Sequence, residues 1–130
     1  MKKLTIAMEN YLEAIFLLST DEKGARVSDI AEMLRVTKAS TNSAMSTLSE
    51  KGLIVNEKYK EVFLTPAGRK LAEFTSKKHK IIEKFFTQVL KIDEAIANKD
   101  ACEIEHVISS ESISAMEKFL SDFIEKNTPK

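Results

Sequence analysis

Apolar positions recur at helical spacing along most of the chain. In AMENYLEAIFLLST, Tyr11, Leu12, Ile15, Phe16 and Leu18 share a face, which predicts a helix. DEKGAR predicts a turn around Gly24. VSDIAEMLRV predicts a helix capped by Ser28, with Ile30, Ala31 and Leu34 inward. After a break at residues 35–37, KASTNSAMSTLSEKG predicts a further helix. Thr41, Met45 and Leu48 face inward there, and Gly52 is its stop. LIVNEKYKEVFLT alternates instead, with a polar centre at residues 56–61, and predicts a β-hairpin. Thr65-Pro66 pairs a cap with a first-turn proline, so a helix starts there and runs to about Leu90. A turn at residues 92–93, a short helix and a helix over ACEIEHVIS follow. A last helix carries Ile113, Met116, Phe119, Leu120 and Phe123 on one face, and the tail NTPK frays.

Helix, three-residue break, helix, then hairpin is the order of a winged helix-turn-helix. The expected fold class is mainly α with a small β-hairpin wing: a winged helix-turn-helix over residues 1–73 and an all-α domain over residues 74–130. Composition agrees. Three Gly and two Pro in 130 residues favour long helices over a turn-rich β fold, and 43% hydrophobic content suffices for a packed core. No apolar run approaches the roughly 18 residues of a membrane span. The start, MKKLTIAMEN, has too short an apolar stretch for a signal peptide, and Glu9 follows it. A cytoplasmic protein with no membrane association is expected. The single cysteine excludes an internal disulfide.

Net charge is zero, which alone argues against strong nucleic-acid binding, but the charge is unevenly spread. Residues 1–80 carry 14 Lys and Arg against 10 Asp and Glu; residues 81–130 carry 6 against 10. A basic front and an acidic back suggest two tasks. The second helix of the helix-turn-helix shows Ser40, Asn42, Ser43, Ser46 and Thr47 outward, with Lys38 and Ala39 at its start. Solvated helices usually carry longer side chains of better helix propensity. Short polar ones let the backbone approach base edges, where Ser, Thr and Asn donate and accept. Thr37 opens this helix, and Lys38, Lys51, Lys58 and Lys60, with Arg26 in the preceding turn, are candidate phosphate contacts. The competing account is a plain solvated helix in a structural domain. The turn lacks the glycine usual there.

The segment ACEIEHVISS brings Cys102, Glu105 and His106 together at C-x-x-E-H spacing. On a helix these positions fall within about 100° of arc, so a thiol, a carboxylate and an imidazole could converge on a cation. By itself the cluster is weak: a helical Cys is more often a packed residue than a ligand. Two further pairs strengthen it. His79 lies four residues before Glu83, and Asn10 three before Glu13, each pair on one helical face.

In the order ENYLEAIFLL, ARVSDIAEMLRVT, GLIVNEKY, LTPAGRKLAE, KHKIIEKF and ACEIEHVIS, the chain resembles the diphtheria toxin repressor and manganese transport regulator family from about residue 5 to 125. The resemblance implies a winged-helix domain on operator DNA, a helical domain forming a homodimer, and a divalent transition metal as co-repressor. Among ligands it implies, Glu105, His106 and His79 match both branches of the family. Cys102 and Glu83 match the iron-type branch, and Glu13 the manganese-type. Asn10 departs from both, with an amide oxygen still able to ligate, and Asn98 stands where the iron-type has His. The sequence ends where iron-type members continue into an SH3-like domain, so a short form is implied. The resemblance implies Fe2+ or Mn2+ ahead of Co2+, Ni2+ or Zn2+, while the mixed donors select no one ion: the thiolate leans towards Fe, Co or Zn and the carboxylates towards Mn.

The expected function is a metal-dependent, DNA-binding transcriptional regulator, a repressor of metal-uptake genes acting as a homodimer on a palindromic double-stranded operator. The surplus of apolar residues from Ile104 to Phe123 supports the dimer. The alternative is a winged-helix regulator that is metal-independent or senses another ligand. A protein–protein adaptor on the same scaffold is a third reading. A metal-dependent hydrolase is disfavoured: two histidines and no Gly-rich loop leave catalytic motifs empty, so no enzyme is expected.

Overall fold

A computed structural model describes residues 4–20, 22–56 and 61–127. The chain divides into two compact units, Met1–Phe74 and Thr75–Lys130.

In the first unit α1 spans Ile6–Leu18, α2 Val27–Leu34 and α3 Lys38–Glu50. Thr5 caps α1 by accepting the Met8 N–H at 3.1 Å, and Tyr11, Leu12, Ala14 and Ile15 are its buried face. Thr37 caps α3 likewise, accepting the Ser40 N–H at 3.0 Å. The start of α2 differs from the expected Ser28 cap: Arg26 precedes its first turn, and no side chain caps it. A tertiary contact sets that start. Ala25 and Val62 exchange both backbone hydrogen bonds at 2.8 Å, which holds residue 25 extended and leaves Val27 as the first residue able to turn.

Both helices of the helix-turn-helix end in the same hydrogen-bond motif. After α3, Gly52 takes φ +73°, its N–H reaches Ser49 O, and the Leu53 N–H reaches Leu48 O, both at 3.0 Å. After α2, Arg35 takes φ 57°, its N–H reaches Glu32 O, and the Val36 N–H reaches Ala31 O. The glycine missing from the sequence is thus replaced by an arginine in the left-handed region.

The wing consists of β1 (Ile54–Val55) and β2 (Phe63–Leu64), antiparallel, with Ile54 opposite Leu64 and Val55 opposite Phe63. Its tip, with Lys58 and Lys60, lies outside the described residues. The helix α4 (Pro66–Lys84) starts as expected, with Thr65 Oγ1 accepting the Gly68 N–H at 3.1 Å. The core of this unit joins Tyr11, Leu12, Ile15, Ile30, Met45, Leu48, Leu53, Ile54 and Val62.

The second unit holds the end of α4, α5 (Glu94–Ile104) and α6 (Ser110–Asn127). The helix expected to reach Leu90 leaves α geometry after Lys84 and closes with a π-helical turn, Phe85–Val89. One helix replaces the two expected between residues 93 and 109, with Asp93 accepting the Ala95 N–H at 3.1 Å. Ile81, Ile82, Ala101, Ile113 and Leu120 are buried together, flanked by Phe85, Phe86 and Met116. Of the apolar stripe expected on α6, only Ile113 and Leu120 are buried; Phe119 is 50% exposed. No helix among the described residues is long and apolar enough to cross a membrane.

Candidate metal centre and DNA-reading helix

The C-x-x-E-H segment is not one continuous helix. The helix α5 ends at Ile104, and residues 105–107 form a turn. Nothing in the sequence there breaks a helix, but Ser109 offers a new cap, accepting the Ser112 N–H at 3.1 Å and starting α6. Glu105 keeps one helical feature: its N–H still bonds Ala101 O at 3.0 Å, with φ −55° and ψ −26°. It therefore stays one turn beyond Cys102, and buried His106 follows it in the turn.

The donors of His79, Cys102 and Glu105 all lie within 4.8 Å of one another. His79 comes from α4, Cys102 from α5 and Glu105 from the turn. Cys102 is exposed, whereas the Glu105 side chain is 1% exposed. Glu105 Oε1 lies 3.6 Å from Nε2 of buried His106, and Glu105 Oε2 lies 3.3 Å from His79 Nδ1.

The neighbours of His79 bear on its tautomer. Nε2 lies 3.1 Å from Glu83 Oε2 and 2.9 Å from Asn98 Oδ1. Both accept, which favours an N–H at Nε2. Nδ1 is buried and makes no hydrogen bond to a described residue. Nδ1 faces Glu105 Oε2 at 3.3 Å, an arrangement that a proton on Nδ1 or a cation between the two would stabilise. Such is the pattern of a metal-bound imidazole: one nitrogen aimed at the cation, the other N–H held by a carboxylate or carbonyl. The donors fit a divalent ion. Bonds of about 2.0–2.3 Å hold ligands roughly 3.5 Å apart, so a span of 4.8 Å needs only modest closure.

Asn98 was not among the expected ligands, yet it touches His79. Its position was legible: residues 98, 102 and 105 follow i, i+4, i+7 spacing. Glu13 and Asn10 lie half-buried on α1 in the first unit.

The helix α3 presents its expected face. Thr41, Ala44, Met45 and Leu48 are buried, while Lys38, Ala39, Ser40, Asn42, Ser43 and Ser46 are exposed. Thr37, Arg26 and Lys51 are exposed beside it. Thr47 is half-buried, its hydroxyl turned back to Ser43 O at 3.2 Å.

Residues 3–62 match the iron dependent repressor N-terminal DNA binding domain, and residues 65–128 the iron dependent repressor metal binding and dimerisation domain. The HTH-type transcriptional regulator MntR of Lysinibacillus sphaericus is 38% identical over 109 residues, 84% of this chain and 78% of that one. The chain belongs to the iron-dependent repressor family. It is a metal-dependent transcriptional regulator and not an enzyme. Among solved structures similar to this family member, SSo2273 of Sulfolobus solfataricus has TM-score 0.73 and 26% identity, covering 92% of this chain and 91% of that one. The manganese regulator SloR (TM-score 0.76, 27% identity) covers 88% of this chain and 53% of its own. The metal-dependent transcriptional regulator MtsR (TM-score 0.80, 25% identity) covers 91% and 55%. The chain thus spans about half the length of those two regulators.

Proposed function

We propose that this protein is a metal-activated repressor of metal-uptake genes, acting in the cytoplasm as a homodimer on a palindromic operator. His79 Nδ1, Cys102 and Glu105 are its central metal donors. The observation that carries this reading is the convergence of imidazole, thiol and carboxylate within 4.8 Å inside the family's metal-binding domain. Glu83 and Asn98 hold the other nitrogen of His79. His106 flanks Glu105. Glu13, and Asn10 through its amide oxygen, are further donors that the sequence resemblance adds. The donor set suits Fe2+ or Mn2+, with a thiol that also accepts Co2+, Ni2+ or Zn2+.

His79, Cys102 and Glu105 would hold a divalent cation, which would supply positive charge beside the buried Glu105 carboxylate, and Cys102 would bind it as the thiolate. Occupancy shifts the DNA-binding equilibrium only as far as the competent state binds the ion more tightly. The DNA contacts assigned are Arg26, Thr37, Lys38, Ala39, Ser40, Asn42, Ser43 and Lys51, with Lys58 and Lys60 in the wing. Exposed Val107, Phe119 and Ile124 in the second unit are the apolar surface a dimer would cover.

Calorimetric titration of Mn2+, Fe2+, Co2+ and Zn2+ into the reduced, metal-free protein tests this reading, beside Cys102→Ala and Glu105→Ala. Saturable binding weakened by both changes is expected. Binding indifferent to both would reject the site and favour a winged-helix regulator with another signal.

A further inference from the structure

We propose that Asn42 determines base specificity, reading one A·T pair in each operator half-site through the paired donor and acceptor of its carboxamide; this rests on the DNA-reading role given to α3 above. At about 100° per residue, the face of α3 opposite buried Thr41, Ala44, Met45 and Leu48 carries Ala39, Asn42, Ser43 and Ser46, with Glu50 at its last residue. All are exposed. From Ala39 to Ser49 the helix has no Arg, Lys, Gln, Glu, Asp or His. Asn42 is therefore the one outward side chain that holds a donor and an acceptor together in a plane. Its carboxamide makes no hydrogen bond with a described residue, so both groups are available to a ligand.

Chemistry selects the base. Adenine offers N7 as acceptor and N6 as donor at its major-groove edge, which matches a carboxamide group for group. Guanine offers two acceptors, N7 and O6, and needs two donors held together, as in arginine. Set against guanine, the Asn42 oxygen meets another acceptor. The outward neighbours add no competing selection. Serine hydroxyls rotate to donate or accept at either kind of base, and the Ala39 methyl offers only apolar contact. Asn42 is also well placed for reach. It lies early in α3, and recognition helices meet base edges with their N-terminal residues. Flanking side chains no larger than serine leave room for the helix backbone to come close.

The test is selection from a pool of random DNA duplexes by the full chain loaded with Mn2+, for wild type, Asn42→Ala and Asn42→Asp. Competition on duplexes differing at single base pairs then measures each preference. The wild type is expected to show one A·T position per half-site that Asn42→Ala flattens by roughly 5- to 150-fold, while the other positions persist. Asn42→Asp moves the preference at that position towards cytosine, because a carboxylate accepts from cytosine N4. A merely structural role would not change base identity. Lys38→Ala serves as the contrast, weakening all duplexes alike. Two results overturn the inference alone: an adenine preference unchanged in both Asn42 variants, or a loss spread evenly over every position. If the wild type selects no sequence, the DNA-reading role of α3 fails and takes the inference with it.

Discussion

At the joint between the wing and α4 the backbone of residue 53 lies against Gly68, and Gly68→Ala tests that approach. A Cβ at residue 68 would lie 1.9 Å from Leu53 O and 2.9 Å from Leu53 C. Ordinary contact begins near 3.4 Å, so the two segments must separate by about 1.5 Å. The Leu53 carbonyl cannot swing aside freely. It accepts the Thr65 N–H at 3.0 Å, while Thr65 Oγ1 donates to Gly52 O at 2.7 Å and accepts the Gly68 N–H at 3.1 Å. Overpacking costs about 1–3 kcal/mol. Losing one or two of these hydrogen bonds adds roughly 1 kcal/mol each. Alanine's better helix propensity returns about 1 kcal/mol. The net expectation is a destabilisation of about 1–4 kcal/mol, set against the roughly 5–15 kcal/mol typical of a domain. The assay follows from composition. Both tyrosines, Tyr11 and Tyr59, lie in the first unit and there is no tryptophan, so tyrosine fluorescence in urea reports that unit alone. Ala67→Gly, one residue earlier and exposed, bounds the propensity effect. A Gly68→Ala midpoint shift worth less than about 1 kcal/mol would refute the close approach, since propensity alone moves that much.

Arg35→Gly should stabilise the same unit by about 1 kcal/mol, because a left-handed non-glycine residue carries roughly that strain and glycine removes it; a lower urea midpoint would contradict this. Glu105→Ala and His106→Ala should each abolish the metal response while leaving the dimer intact by sedimentation. Dissociation on either change would make these residues structural rather than sensory. Apparent metal affinity should fall as pH falls, since protons compete for imidazole and thiol and are released on binding. Calorimetry in buffers of different ionisation enthalpy measures that release, and pH-independent binding with no proton release would exclude His79 and Cys102 as ligands.

Much of the first unit was legible because its signals are local. Apolar spacing located α1 and α3, Gly52 marked the end of α3, and Thr65-Pro66 marked the start of α4. Order alone then suggested the winged helix. The errors fall where a distant partner decides. Ser28 has the chemistry of a cap, but the Ala25–Val62 pairing, 37 residues apart in sequence, starts α2 earlier. Arg35 could not be read as a helix terminator, because its left-handed conformation comes from the hydrogen bonds around it and not from its side chain. The end of α5 was invisible for the converse reason: Glu105 and His106 follow an uninterrupted helical pattern, and the stop comes from the start of α6 at Ser109.

That break at Ile104 also bears on how the metal centre works. Cys102 is exposed, whereas Glu105 and His106, in the turn that follows, are buried. Burying a carboxylate is costly unless positive charge or hydrogen bonds accompany it. Glu105 sits between His79 and His106, two side chains whose charge depends on a proton. In the proposed site a cation would improve the surroundings of this carboxylate, and a difference of that kind between the loaded and empty states is what a population shift requires. Cys102 is the exposed member of the cluster, so an ion binding there would meet the thiol first and the buried Glu105 carboxylate last.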